Sequence, residues 1–529
     1  MTLSTRIASA AALLLIGAMF FELLASSRLL SATMDEQKHI TRGVRYLRTG
    51  DASMSISHPI LINCLTALSL AFDPSLALPP TPAGQWDQTK ASDYSTSFLW
   101  TTNAERGPEI IQRGRVPTMM LACLLGALIF IWSYRLFGQS GALLSLFLYV
   151  CDPNVMAHSM LATNDLGVTF FFFLAVFLYA RFLEQRSALR LCLAGCATGL
   201  AIASKVSGLI LIPIFACMII ADDWSRPGSK RSVAGAFVAT ISIAFLTLWA
   251  LYGFTIGPLP FSSSYSLPAP MFWRACYELF RNNYFARPTY FMGALSTGVK
   301  WYYLPTVFLL KTPLATLFVL ALACLRAAKS ETWKRLSSLI IPAATYFLFC
   351  IISHIDFSYR HMLPALPFLF VFGGQAINTR SRAIRFEIGA LVVWLAVSVF
   401  SIRPNYLTYF NALTGGRGTE YQLLVGSNLD WGQGAIELKK YMDEHAIKSV
   451  HLKYYGVASL KAYGVQYDNL WPLHSGVPSE PGAYALSVSY LAGVSDPKHE
   501  ANYQWFREHA SSAKIGDAIF LYEVKDTSR

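Results

Sequence analysis

The sequence predicts a polytopic α-helical membrane protein with a small extracytoplasmic α/β domain at its C-terminal end. Three observations predict it. Hydrophobic residues make up 54% of the 529 and charged ones only 14%, with a mean hydropathy of +0.41, a balance that excludes an ordinary soluble enzyme and a disordered chain. Apolar runs recur up to about residue 402 and then cease. From Arg403 onward the pattern turns to short alternating stretches, and 12 Lys and Arg meet 13 Asp and Glu. The net charge of +12 therefore belongs to the membrane part. There it flanks apolar segments as topology signals do, which argues against a nucleic-acid partner. The nine cysteines, none after Cys350, make no disulfide framework.

Crossing about 30 Å of hydrocarbon takes roughly 20 apolar residues. Eleven segments are placed at about 7–31, 116–136, 138–151, 166–183, 190–204, 206–221, 233–257, 302–325, 336–353, 361–377 and 386–402. The first continues through Leu29 and Leu30, beyond a normal signal core, and reads as an uncleaved anchor. With a cytoplasmic N-terminus, Arg135, Arg181/Arg186/Arg190, Arg226/Lys230/Arg231, Arg326/Lys329/Lys334/Arg335 and Arg380/Arg382/Arg385 all fall on one side, while the loop 152–164 has no Lys or Arg. The positive-inside rule makes the basic side cytoplasmic. That parity requires His58–Phe72 not to span. Its shortness and the polar stripe of Asn63, Thr66 and Ser69 read as an interfacial amphipathic helix.

The extracytoplasmic pieces are then a first loop at about 32–115, a Pro- and aromatic-rich loop at about 258–300, and the tail 403–529; residues 1–402 form the transmembrane domain. In the tail, Val450/Leu452/Tyr454 and Tyr484/Leu486/Val488 alternate and 518–524 is continuously apolar, so these are expected strands. Ala435, Leu438 and Met442 mark a helix, and 499–510 a second.

Chemistry is expected where polar groups collect at outer helix ends, because a charge near hydrocarbon needs compensation. Asp35 and Glu36 follow the first crossing, with His39, Arg42 and Arg45 behind them. Neighbouring carboxylates diverge by about 100° on a helix, so only one points into a given pocket and a paired-acid hydrolase is disfavoured. One carboxylate suffices as general base when the leaving group is a phosphate, which needs no protonation. Asn164-Asp165 reads as a helix cap whose acid emerges on the same face as Asp35; two facing acids suit an acceptor or a divalent cation. Arg115, Lys205, Arg360-His361 and Lys311 supply cations at that face, with Lys311 too deep in its segment to snorkel. Such a cluster suits gripping a lipid-attached phosphate. No GxxxxGK[ST], HExxH, CxxC or GxSxG element competes.

In order, the chain carries Asp35-Glu36, His58-Pro59, Arg115-Val-Pro117, Ala162-Thr-Asn-Asp165, Ser204-Lys205, Trp301-Tyr-Tyr-Leu-Pro305 to Lys311-Thr-Pro313, Tyr359-Arg-His-Met-Leu-Pro364, Tyr409-Phe-Asn411 and Ser427-Asn-Leu-Asp-Trp-Gly-Gln433. The set resembles the GT-C superfamily of polyprenyl-phosphate-sugar glycosyltransferases, in the branch of protein O-mannosyltransferases and lipid A aminoarabinose transferases. The resemblance implies a GT-C fold with an outward cavity under the first loop. It implies Asp35 as general base, Glu36 as supporting acid and Asp165 near the acceptor. Arg115, Lys205 and Arg360 are implied at the lipid phosphate, with His361, Lys311 and His58 as further candidates. It further implies a polyprenyl-phosphate sugar donor, a protein, lipid or glycan acceptor, an inner-membrane location and no metal cofactor. Gly426 and Gly434 stand where the family pattern leads one to expect acids.

The expected reaction is an inverting sugar transfer on the outer face of the cytoplasmic membrane. A carrier that moves a lipid-linked sugar without bond breaking is the alternative, and would need functional groups reachable from both sides. A non-catalytic scaffold would leave the one-sided clustering as coincidence.

Overall fold

A computed structural model describes residues 3–225, 230–259, 262–285, 288–298, 300–327, 333–353, 358–416, 418–469, 477–478 and 480–525. Arg226 and Lys329 of the expected basic loops lie outside these residues, as do the side chains of Lys230, Arg231, Lys334 and Arg335. The chain opens with α1 (Leu3–Ser27), α2 (Glu36–Thr49), α3 (Leu61–Ala71) and α4 (Gln88–Ser97). The long α5 (Gly107–Val150) follows, then α6 (Pro153–Ser159), α7 (Asn164–Glu184), α8 (Ala188–Ser204), α9 (Leu211–Ser225) and α10 (Lys230–Leu251). Two hairpins, β1 (Ile256–Leu259) with β2 (Ser262–Pro268) and β3 (Pro288–Phe291) with β4 (Ala294–Thr297), flank α11 (Pro270–Tyr284). Next come α12 (Tyr303–Lys311), α13 (Leu314–Ala327), α14 (Trp333–Ile352), α15 (Leu366–Gly373) and α16 (Arg382–Phe400).

Each of the eleven apolar segments is helical, but they differ in kind. Among the described residues five helices are long and apolar enough to cross a bilayer: Thr5–Ser27, Ala104–Val150, Asn164–Glu184, Ala234–Leu251 and Arg382–Phe400. Within α5, Gly138 takes φ 74°, a left-handed conformation that glycine adopts without Cβ strain. The break falls between the second and third expected segments. The eighth segment is not one helix, since α12 and α13 meet at 110° across Thr312-Pro313. Pro313 has no N–H to continue the ladder. Lys311 therefore ends a short helix instead of lying deep inside a long one. The tenth segment is a 3₁₀ stretch Tyr359–Ala365, then α15, then a 3₁₀ turn Gly374–Ile377.

Helix α3 is short, as expected, and packs against α2, α5 and α7. Asn63 and Thr66 are buried, while Leu68 and Phe72 are 50% and 75% exposed. Leu61, Ile62, Ala67, Leu70 and Ala71 are buried together with Asn63 and Thr66, while Ser69 of the expected polar stripe is exposed beside Leu68.

The tail builds a five-stranded sheet from β5 (Val450–Lys453), β6 (Tyr467–Asn469), β7 (Gly482–Ser487), β8 (Ala513–Ile515) and β9 (Ile519–Val524), in the order β6-β5-β7-β9-β8. β5 runs parallel to β6 and β7, while β9 is antiparallel to β7 and β8. Helix α17 (Ala435–Glu444) covers one face, burying Ala435, Leu438 and Met442 against Val450, Leu452 and Leu521.

The candidate active site

The two acids after α1 diverge as neighbouring helical residues must. Glu36 turns inward. Its carboxylate accepts from the Thr33 N–H (2.9 Å) and hydroxyl (3.1 Å), the Ala162 N–H (2.9 Å), and Arg115 Nε and Nη2 (both 2.8 Å). Arg115 spends its remaining donors on the carbonyls of Ser27, Leu30 and Ser31. Both side chains have no exposed surface. Burial raises the Glu36 carboxyl, but Arg115 and the N–H donors outweigh it and hold the group below the usual carboxylate range. Glu36 is thus fully engaged by these donors, and all the Arg115 donors are taken within the protein. Together they clamp the start of α2 to α5 and to the 152–164 loop.

Asp35 turns the other way and keeps 32% of its side chain exposed. Arg360, delivered by the 3₁₀ stretch, reaches Asp35 at 3.2 Å and Asp165 at 3.4 Å through the same Nη1. Lys205, which ends α8, pairs with the other oxygen of Asp165 at 2.6 Å. Asp165 lies in the first turn of α7, where the N-cap is Thr163 rather than Asn164 or Asp165. A negative charge there meets the helix's positive end. The two acids thus share Arg360 as a common cation. Among the described residues no three of His, Cys, Asp and Glu converge as a metal site would need.

Burial raises the Asp35 carboxyl, while Arg360, His39, His58 and Lys38 lower it by more, so it stays ionised. His39 follows one helical turn on and shares a hydrogen bond of 2.8 Å with Asn63 of α3. Its ring lies 5.3 Å from that of His58. Burial brings His39 down to about 4 and His58 well below its ordinary value, so both are neutral at pH 7.

His58, Lys205 and His361 form the polar end of a cavity of about 510 Å³ whose other walls include Phe280, Phe349 and Ile352. A largely apolar cavity with one cation, Lys205, in its wall suits a lipid that carries a phosphate. Lys311, by contrast, is 1% exposed and donates to the carbonyls of Leu407 (2.7 Å) and Asn428 (2.6 Å) beneath the Phe410 ring. It staples the tail to α12 and stands apart from the cavity.

The structure adds Trp431, which the sequence alone did not single out. Its ring lies 4.2 Å from the Arg360 guanidinium, and its carbonyl accepts from Met34 N–H at 3.1 Å. The signal was the Ser427–Gln433 run, whose aromatic member stacks on the cation that touches both acids. Asp430 turns away to Ser489.

The superposition on ArnT from Cupriavidus metallidurans bound to undecaprenyl phosphate has a TM-score of 0.51 at 10% identity, covering 98% of both chains. The chain has the GT-C fold. The Saccharomyces cerevisiae Pmt1-Pmt2 protein O-mannosyltransferase complex bound to the sugar donor matches with a TM-score of 0.50 at 13% identity, over 74% of this chain and 89% of that one. At these identities the likeness speaks for fold. By sequence, residues 109–251 match the family model of dolichyl-phosphate-mannose-protein mannosyltransferase, a stretch that runs from α5 to α10 and carries Arg115, Asp165 and Lys205 of the GT-C fold. No curated protein sequence matches significantly.

Proposed function

We propose that this chain is a glycosyltransferase that moves a sugar from a polyprenyl-phosphate carrier to an acceptor hydroxyl, with inversion, on the outer face of the cytoplasmic membrane. One observation carries the reading. Asp35, Asp165, Lys205 and Arg360, from four separate elements, converge, and Lys205 also lines a largely apolar cavity. ArnT is bound to undecaprenyl phosphate and the Pmt1-Pmt2 protein O-mannosyltransferase complex to its sugar donor, which supports the same donor class here. The eleven helical segments are assigned as crossings, and the tail 403–529 as an extracytoplasmic domain closing over the site.

In the proposed reaction Asp35 takes the acceptor proton and the oxygen attacks the anomeric carbon. The bond from that carbon to the phosphate oxygen breaks, and the carrier phosphate leaves with one further negative charge. Lys205 and Arg360, which keep 16% and 19% of their side chains exposed, are assigned to stabilise it. Since the leaving group needs no proton, charge stabilisation supplies on the order of a few kcal/mol of the barrier reduction. His58 and His361 line its seat; Asp165 holds Lys205 and Arg360 in place. Arg115, Glu36 and Lys311 are assigned to architecture.

Purified Asp35→Asn, given a polyprenyl-phosphate sugar, is expected to lose transfer by at least about 10²-fold while keeping the wild-type melting temperature. Near-normal turnover would overturn the assignment. Because Asp35 is held below the usual carboxylate range, the wild-type kcat/KM should persist as pH falls and drop only below that range. Arg360→Gln should move that acid limb upward.

A further inference from the structure

Arg360 links the two acids, yet the polar contacts that hold it are few. It reaches Asp35 at 3.2 Å and Asp165 at 3.4 Å through one nitrogen, Nη1, both beyond the roughly 2.7–2.9 Å usual for a charge-assisted bond. Bidentate pairing, two parallel N–H groups on one carboxylate, is what usually fixes the plane of a guanidinium. Here Nε has no hydrogen-bond partner, and bonds made through a single atom leave the plane free to turn about it. The group that fixes the plane is the indole of Trp431, whose ring centre lies 4.2 Å from the guanidinium carbon.

Trp431 is itself tightly held, and by the segment that presents Asp35. The ring is 4% exposed, with the His158 ring edge-on to it at 6.1 Å. Its backbone N–H donates to Gln433 Oε1 at 2.7 Å, and its carbonyl accepts from Met34 N–H at 3.1 Å. Gly432 follows with φ 84°, and a Cβ there would stand 2.9 Å from the Gly456 Cα and the Tyr455 carbonyl oxygen, so this left-handed close approach requires glycine. The Gly432 carbonyl accepts from the Ser31 hydroxyl at 3.0 Å. One short turn of the tail therefore binds residues 31–34 and at the same time stacks on the cation shared by the two acids. Burial raises the Asp35 carboxyl, and Arg360 is the first of the cations that lower it. A guanidinium released from the indole would lose its fixed distance to Asp35 and lower it less.

We infer that Trp431 is a positioning residue, its indole face setting the plane and reach of Arg360 toward Asp35 and Asp165, so that the tail completes the site; this rests on the transferase reading only for the role of Asp35 as base.

The test uses the full-length protein in detergent and two readouts. One is kcat/KM against pH with a polyprenyl-phosphate sugar. The other, independent of turnover, is the pH midpoint for labelling of Asp35 by a water-soluble carbodiimide, which attacks the protonated carboxyl, read by mass spectrometry. Trp431→Met fills much of the space without a π face, and Trp431→Phe keeps a face. Tetrafluorotryptophan placed at position 431 keeps the shape of the ring while withdrawing the electron density that attracts a cation. In Trp431→Met the acid limb and the labelling midpoint should both rise by about half a pH unit or more, with kcat down roughly tenfold to a hundredfold. Trp431→Phe should recover most of both. The fluorinated protein, which preserves the packing, should move the midpoint in the same direction as Trp431→Met. An unchanged midpoint in the fluorinated protein, or equal losses in Trp431→Phe and Trp431→Met, overturns the inference. A lowered melting temperature in Trp431→Met with both profiles unmoved does the same, because the ring would then serve packing alone. Should the wild type transfer no sugar while the labelling midpoint still follows the ring, the transferase reading fails and the positioning role stands.

Discussion

Glu36 and Asp35 are adjacent in sequence and opposite in role, and the difference lies in what each can reach. Glu36 accepts five hydrogen bonds in a site with no exposed surface, so its negative charge is matched and its lone pairs are filled. Removing one member of such a pair leaves the other buried and uncompensated, at about 3–5 kcal/mol. Glu36→Gln is therefore expected to lower stability by that order, read as a fall in denaturation midpoint, with residual folded protein still binding undecaprenyl phosphate. A variant of normal stability that had lost only turnover would return Glu36 to the chemistry. The sequence announced that the two acids diverge, because helical geometry is local. Which acid takes which cation is not local: Arg115 is 79 residues from Glu36 in sequence and Arg360 is 325 from Asp35. The same distance hid Trp431.

At the scale of elements, α3 is held by close backbone approach. A Cβ at Gly43 would overlap the Asn63 carbonyl, and one at Gly167 would overlap the Ile62 side chain. Two glycines on α2 and α7 thus let α3 press in from either side, which seats Asn63 against His39. Gly43→Ala should push α3 outward, costing about 1–3 kcal/mol of overpacking. It should also break the His39–Asn63 hydrogen bond, visible as a shift of the His39 titration by NMR. A melting temperature and titration equal to wild type would refute this account of the α2–α3 contact. Element types were legible where periodicity persists. Strands β5, β7 and β9 follow the alternation and the apolar run, and α17 follows its spaced apolar residues. Strands β6 and β8, three residues each, are too short to carry a period. The bend at Thr312-Pro313 was missed because the apolar run continues through it, although Pro313 was the sign. The expected polar stripe of α3 divides, with Asn63 and Thr66 buried and Ser69 exposed, because hydropathy does not say which polar positions a neighbouring helix will cover.

For the whole molecule, the decisive relation is between the tail and the segment that presents Asp35. Ser31 N–H donates to the Gln433 carbonyl, Met34 N–H to that of Trp431, and Ala32 N–H to the Tyr463 hydroxyl. The tail therefore lies at the end of the membrane part where the acids and cations gather. The turn joining α7 and α8, with Arg186 in it and Arg181 and Arg190 in the flanking helix ends, lies at the far ends of those helices, since Asp165 opens α7 and Lys205 closes α8. A helix of 21 residues rises about 31 Å, so the site and this basic loop sit roughly one bilayer apart. On the proposed reading, the positive-inside rule assigns the loop to the cytoplasm and the site to the outside, where a lipid-borne donor is the form that would be accessible. Single cysteines test the arrangement. They are placed at the exposed positions Lys448 and Gln185, in a background lacking the exposed Cys192, Cys196, Cys217 and Cys324. A membrane-impermeant maleimide applied to intact inner-membrane spheroplasts should label Lys448→Cys and spare Gln185→Cys until the membrane is broken. The reverse pattern would put the site in the cytoplasm and remove the reason for a polyprenyl-phosphate donor, leaving the geometry around Asp35 in need of a different substrate.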